Sequence, residues 1–162
     1  MLTAISVLIM LVIGILSFTL LIGNKNKKVT SLNYALVPSL MTKAELAFYQ
    51  VLCDAVDGKY LVMAKVRMAD IIVVKKGTKN YMALFGKIKS KHIDYLLCES
   101  LTLKPVLAIE LDDKSHQKNK RVERDKFVKE VFSQVSLPIL RQPCRSLYER
   151  DEVILNIQKL LG

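Results

Sequence analysis

Three acidic residues on two apolar segments are the side chains best placed to do chemistry together. Asp94 lies in the segment HIDYLLCE, which starts at His92. Glu110 and Asp112 close the segment KPVLAIELDD, which starts at Lys104. Side chains two residues apart in a strand share a face, so these two carboxylates point the same way, and a hairpin brings Asp94 beside them. Carboxylates this close repel each other unless a cation lies among them, and Mg²⁺ (or Mn²⁺) prefers oxygen ligands. The spacing therefore predicts a divalent-metal site.

Basic residues follow the acidic motif closely along the chain. They are Lys114, His116, Lys118, Lys120, Arg121 and Arg124. Such cations hold a phosphodiester backbone beside a metal, and a metal polarises the phosphoryl oxygen and lowers the pKa of a bound water. The pattern predicts a phosphodiester substrate and hydrolysis, the chemistry of a nuclease.

The composition is that of a folded and strongly basic protein. The chain has 162 residues, of which 51% are hydrophobic, and 25 Lys and Arg against 15 Asp and Glu give a net charge of +10. These values exclude a disordered tail. The three cysteines form no CxxC pair, so they fit neither a zinc knuckle nor a disulfide framework. The positive charge favours nucleic acid or an anionic lipid surface as partner.

The N-terminal segment predicts a membrane anchor. Residues 2–22 carry no charge and are long enough, as a helix, to span a bilayer. We therefore divide the chain into an anchor (1–23), a basic linker (24–40) and a domain (41–162). Lysines cluster only after the apolar segment, which predicts a single-pass protein with its C-terminal domain in the cytoplasm. The alternative is a buried helix of a soluble domain.

The remaining pattern predicts an α/β domain. Thr42 and Glu45 have capping-box spacing and open a helix. Two strands, YLVMAKV and DIIVV, a short helix from Tyr81, and the two acidic segments as a hairpin follow. A helix from Arg121, a strand from Leu137 and a closing helix complete the order.

The domain resembles a bacterial domain-of-unknown-function family of the restriction-endonuclease-like, PD-(D/E)XK superfamily. The matching pieces are TKAEL, AKVRMADI, HIDYLLCE, PVLAIELDDKSH, the RD of VERDKF, and LPILR. The IELDD…H run is also similar to that of very-short-patch repair endonucleases. The resemblance implies a core of one helix, a mixed central sheet and flanking helices. It also implies a metal-dependent endonuclease, which we expect to act on DNA at the bacterial inner membrane, with RNA left open.

The resemblance also implies roles for individual residues. Asp94 matches the superfamily's metal-binding aspartate and Glu110 its acidic strand residue, and the main-chain carbonyl of Leu111 would be a third metal ligand. The usual pattern has lysine two residues after that glutamate, where this sequence has Asp112.

The catalytic cation must then come from elsewhere in the sequence. His116 is the first candidate, because the repair-endonuclease-like relatives have a histidine after their acidic motif, and Lys114 is the second. If neither reaches the site, the resemblance implies the fold without the activity.

Several of these residues also have simpler interpretations. Glu45 can approach the active site or serve only as a helix cap. Asp112 can bind metal or end a strand in solvent. Arg124 can grip phosphate or pair with Asp125, and Arg141 can belong to the site or extend to solvent from a strand end.

Two other functions compete with the nuclease. The first is a catalytically inactive nucleic-acid-binding module of the same fold, which the exchange at Asp112 favours. The second is a basic scaffold at the membrane surface. It would use Lys75, Lys76, Lys79, Lys87, Lys89 and Lys91. The oligomeric state is open.

Overall fold

The chain divides into two compact units, 1–38 and 39–162. A computed structural model describes residues 2–22, 32–112 and 118–162. The first unit contains helix α1 (Leu2–Ile22). A helix that is both long and apolar enough to cross a membrane is not found among the described residues.

The second unit is a mixed α/β domain. Helix α2 (Lys43–Val56) precedes strand β1 (Tyr60–Arg67), and two short helices, α3 (Met68–Ile71) and α4 (Tyr81–Lys89), follow. The remaining elements are β2 (His92–Glu99), β3 (Pro105–Asp112), α5 (Lys118–Gln134), β4 (Ile139–Pro143) and α6 (Arg150–Leu161).

The four strands form one mixed sheet in the order β1-β2-β3-β4. β1 pairs with β2 and β2 with β3 in antiparallel orientation, whereas β3 and β4 are parallel. The predicted hairpin is therefore confirmed. The parallel pair requires a crossover, and α5 provides it.

Helices cover both faces of the sheet. On one face, α2 and α6 contribute Phe48, Leu52 and Val153 to a core that also contains Tyr95. On the other face, α3, α4 and α5 contribute a second core around Phe132. Burial of side chains of this size stabilises the fold by roughly 1.5–3 kcal/mol each. The result is a three-layer arrangement whose strand ends remain available for a site.

The strand pair β1–β2 changes face at one point. Ala64 packs in the first core and Val66 in the second, although residues two apart in a regular strand share a face. Lys65 lies between them with a φ of 55°, in the left-handed region that residues with a Cβ seldom adopt. This backbone reversal directs the Lys65 side chain towards β2 and α2, as described below.

Three of the predicted elements differ from the structure. The predicted strand DIIVV is wrong: its first two residues belong to the short helix α3, and residues 72–74 lie in neither a helix nor a strand. Met68, at the start of α3, donates a backbone hydrogen bond to Lys91 O (2.8 Å). An apolar run of this length has the same pattern in a buried strand and in a short buried helix. Helix α5 starts at Lys118 rather than Arg121, and β4 starts at Ile139 rather than Leu137.

Candidate functional site

Asp94, near the start of β2, is held by contacts to both of its carboxylate oxygens. Oδ2 accepts a hydrogen bond from the backbone N–H of Leu111 (2.9 Å), and Oδ1 lies 3.6 Å from Lys65 Nζ. Asp94 is on β2 and Leu111 on the neighbouring strand β3. The aspartate therefore contacts the main chain directly beside Glu110.

Glu110 is the buried carboxylate of the site, with 5% of its surface exposed. Its Oε1 has no hydrogen-bond partner among the described residues, and Arg124 Nη2 lies 3.8 Å away, an ion-pair distance rather than a hydrogen bond. Burial raises the pKa of Glu110. Arg124 and Arg141 oppose this shift, and the charge of Asp94 adds to it. The carboxylate is thus desolvated without full compensation, which is the state that a bound cation would relieve.

Asp112 is engaged by a neighbouring strand. Arg141 on β4 donates to Asp112 Oδ1 (3.1 Å) and lies 3.5 Å from Asp125 Oδ1. The Nη2 of Arg141 is buried without a hydrogen-bond partner among the described residues. An arginine that only extends to solvent from a strand end does not fit these contacts, so that interpretation of Arg141 is wrong.

Glu45 joins the first helix to the sheet. The predicted capping box is confirmed, because Glu45 N–H donates to Thr42 Oγ1 (3.3 Å) and Thr42 N–H donates to Glu45 Oε2 (2.7 Å). The other carboxylate oxygen accepts a 2.5 Å hydrogen bond from Lys65 Nζ, and the Tyr95 hydroxyl donates to the backbone oxygen of Glu45 (2.7 Å). Glu45 therefore has a structural role and also lies beside the candidate site.

Lys65 was missed by the sequence analysis, yet its ammonium lies between two carboxylates, those of Glu45 and Asp94. Burial lowers the pKa of Lys65, but the two carboxylates outweigh it, and the net shift is upward. For Glu45, burial acts in the opposite direction and raises the pKa. Hydrogen bonds from Lys65 and Thr42 lower the pKa by more, and the net shift is downward. Both groups are charged at neutral pH.

The expected convergence of three carboxylates is not observed. Within residues 2–22, 32–112 and 118–162, no group of three or more His, Cys, Asp and Glu side chains is arranged to hold a metal ion. Asp94 and Glu110 are neighbours, whereas Asp112 turns to Arg141. A metal at this site would therefore rest on two carboxylates, with main-chain oxygen and water completing its coordination.

The basic residues after β3 are described only in part. Lys114 and His116 lie outside the described residues. Lys118, Lys120 and Arg121 belong to the first turn of α5, but their side chains are outside the described part of the chain. Arg124 is described and contacts Glu110, while its neighbour Asp125 contacts Arg141. Their roles in binding nucleic acid stay predictions.

The fold and the paired acids define an α/β domain with a four-stranded mixed sheet, flanking helices and a partly buried acidic site at the end of β3. The profile of the family described as "Protein of unknown function (DUF2726)" matches residues 37–160. The chain belongs to this family. Neither a curated protein nor a solved structure matches it significantly.

Proposed function

We propose that this domain is a divalent-metal-dependent nuclease that hydrolyses phosphodiester bonds in DNA and is anchored to a membrane. The observation that carries the proposal is the closeness of two acidic residues on adjacent strands, near enough that the charge of Asp94 raises the pKa of Glu110. Asp94 contacts the main chain next to Glu110, and the Glu110 carboxylate is buried with an oxygen that no described residue hydrogen-bonds. A protein that used Glu110 only for stability would gain from a neutral side chain there.

The fold supports the resemblance to PD-(D/E)XK nucleases. The resemblance implies one helix, a mixed central sheet and flanking helices, and α2, the four-stranded sheet and α5 provide these elements. Asp94 and Glu110 occupy two neighbouring strands of that sheet. The likeness of fold favours phosphodiester hydrolysis as the class of reaction, whereas the mechanism depends on the residues at the site.

The donor set fits a hard divalent cation such as Mg²⁺ or Mn²⁺. Carboxylate oxygens of Asp94 and Glu110, with the carbonyl of Leu111, would hold it. When bound, such an ion polarises the phosphoryl oxygen and lowers the pKa of water. The protein contributes orientation, because the Leu111 N–H and the Lys65 ammonium fix the two oxygens of Asp94.

We propose that Lys65 takes the role of the lysine that the superfamily pattern has two residues after the glutamate. The position two residues after Glu110 holds Asp112, which is engaged by Arg141. Lys65 instead reaches the site from β1, and its ammonium lies next to Asp94. A cation there can bind a phosphate oxygen or orient an attacking water. His116 and Lys114 remain alternative candidates for this role.

Cations on α5 are suited to the phosphate backbone. Arg124 is half-exposed and lies beside Glu110, and the chain carries a net charge of +10. Arginine binds phosphate in bidentate geometry. We propose that Arg124, together with Lys118, Lys120 and Arg121, positions the strand to be cut.

The membrane anchor is proposed from the sequence. Residues 2–22 contain no charged side chain, and the lysines that follow predict that the domain faces the cytoplasm of a bacterial cell. A single-pass anchor would hold the nuclease at the inner membrane.

The proposal is tested with the full chain in detergent, incubated with plasmid DNA, linear DNA or RNA in Mg²⁺, Mn²⁺ or EDTA. We expect metal-dependent cleavage of DNA that falls by roughly 100-fold or more in Asp94→Asn and Glu110→Gln. Asp70→Asn is the matched control, because Asp70 forms an exposed ion pair with Arg67. Absence of cleavage, or cleavage that survives in the folded variants, would refute the enzyme.

A second candidate is a catalytically inactive module that binds nucleic acid. The observation in its favour is the ion pair of Asp112 with Arg141 at the position of the usual lysine. This module would bind DNA in a salt-sensitive way without cutting it, and binding would survive in Glu110→Gln.

A further inference from the structure

One surface of the domain combines positive charge with exposed apolar side chains. It extends from residue 72 to residue 91 and includes α4; we call it the α4 surface. Residues 71–93 contain no Asp or Glu. Its lysines are Lys75, Lys76, Lys79, Lys87, Lys89 and Lys91, and all except the partly buried Lys91 are exposed.

Apolar side chains lie among these lysines. Val73 is 82% exposed and Met82 73%, and Tyr81 is also exposed. Beside them is a groove of about 460 Å³ lined mostly by apolar side chains, among them Leu84 and Phe127. Exposed apolar residues next to a cationic face are typical of segments that lie in the interface of a membrane.

Two of the lysines are oriented by contacts to Phe127 on the neighbouring helix α5. Lys91 Nζ lies 5.0 Å and Lys87 Nζ 5.8 Å from the centre of the Phe127 ring, and Lys91 also donates to the backbone oxygen of Lys87 (2.7 Å). These contacts fix the lysine stems along α5. The remaining lysines are exposed around Val73 and Met82.

We propose that the α4 surface binds the headgroup layer of an anionic membrane, with Val73 and Met82 entering the boundary of the acyl chains. Charge complementarity supports this occupant, since six lysines in a segment that contains no Asp or Glu match a negative surface. Two features favour lipid over nucleic acid. The cations are all lysine, whereas arginine is the residue of bidentate phosphate recognition, and apolar side chains are exposed between them. The proposal is independent of nuclease activity.

A single tryptophan provides the test, because the chain contains none. The full-length M82W variant is reconstituted with vesicles of phosphatidylcholine alone or mixed with phosphatidylglycerol, both with brominated acyl chains. We expect a blue shift and quenching of the tryptophan only in the anionic vesicles. In about 1 M salt the Debye length is near 3 Å, and the effect should disappear.

Three further variants separate this surface from the rest of the chain. The L101W variant places the probe on the β2–β3 loop, where Leu101 is 98% exposed, and should show no quenching. Adding Lys75→Gln, Lys76→Gln and Lys79→Gln to M82W should abolish most of the quenching, because each lysine near an anionic surface changes partitioning roughly five-fold. Lys104→Gln is the matched lysine control, and it should leave the quenching intact.

Three results would overturn the proposal. The first is an M82W spectrum that is the same in both kinds of vesicle. The second is equal quenching of L101W. The third is protection of M82W by duplex DNA without any response to anionic vesicles, which would assign the surface to nucleic acid.

Discussion

Glu110 is a buried carboxylate whose burial is compensated only in part. Its raised pKa means that the folded protein is stabilised as pH falls through that pKa towards the ordinary value of 4.5, and that this stabilisation is lost as pH rises again. Such a group costs stability at neutral pH, and the proposed metal would offset that cost. Glu110 therefore destabilises the fold at neutral pH and is also the central residue of the candidate site.

We expect Glu110→Gln to stabilise the metal-free protein at pH 7. Removal of the buried charge should contribute about 1 kcal/mol, which raises Tm by roughly 2–5 °C. The gain should shrink as pH falls towards and below 4.5, because wild-type Glu110 is then protonated in the folded protein and increasingly protonated in the unfolded chain as well. Thermal unfolding in EDTA between pH 4 and 8 measures it, and a variant less stable than wild type at pH 7 would contradict this account.

A Lys65→Gly variant distinguishes the backbone strain at this position from the function of the Lys65 side chain. The positive φ of Lys65 costs about 1 kcal/mol, and its partly exposed contacts to Glu45 and Asp94 contribute a similar amount. Lys65→Gly relieves the strain but removes the ammonium. Its free energy of unfolding should therefore stay within about 1 kcal/mol of wild type in urea denaturation.

The same Lys65→Gly variant should lose DNA cleavage by roughly 100-fold or more, because the cation beside Asp94 is gone. Lys104→Gly, which removes an exposed lysine just before β3, is the control and should cleave as wild type does. A folded Lys65→Gly protein with full activity would show that Lys65 has no part in the reaction.

The residue pattern predicted some of this site and missed the rest for a physical reason. Acidic residues in apolar strands are costly when buried, which is why Asp94 and Glu110 were recognisable. Lys65 was not, because strand alternation assigns each side chain to a face, and a left-handed residue breaks that alternation. The contact of Arg141 with Asp112 was missed because it depends on the parallel register of β3 and β4.

The first turn of helix α2 connects the cap of the helix to the candidate site. Thr42 caps the helix, and its partner Glu45 also binds Lys65. Helix α2 was predictable because its capping box and apolar period agree. Helix α3 was not, since a short apolar run lacks a period long enough to distinguish helix from strand.

Loss of the cap should weaken α2 without removing Glu45 from the site. Thr42→Ala should lower the free energy of unfolding by about 1 kcal/mol, because the backbone N–H of Glu45 loses its partner. Thr42→Ser keeps the side-chain oxygen and should unfold as wild type does in urea. Equal stability of the alanine and serine variants would show that the cap contributes nothing.

The whole chain combines a basic α/β domain with an apolar N-terminal segment. All ionisable side chains lie in residues 24–162, so the net charge of +10 belongs to that part of the chain. The sequence predicted the α/β class correctly. It could not predict which cations surround which acids, because those contacts join residues far apart in the chain.

We expect the protein to remain in bacterial membranes after an alkaline carbonate wash. Ile9→Lys combined with Val12→Lys should release it, because each lysine at the centre of a spanning helix costs roughly 2.5–3.5 kcal/mol of insertion free energy. Immunodetection in pellet and supernatant measures the partition. Release of the wild-type chain by the wash would contradict the anchor.

Binding of Mn²⁺ to the full-length protein, followed by the electron paramagnetic resonance signal of the free ion, tests whether Asp94 and Glu110 hold one cation between them. If Asp94 and Glu110 share a cation, Asp94→Asn and Glu110→Gln should each weaken binding at least ten-fold, the equivalent of about 1.4 kcal/mol. Asp70→Asn should bind as wild type does. Equal Mn²⁺ binding by all four folded proteins would contradict the shared site.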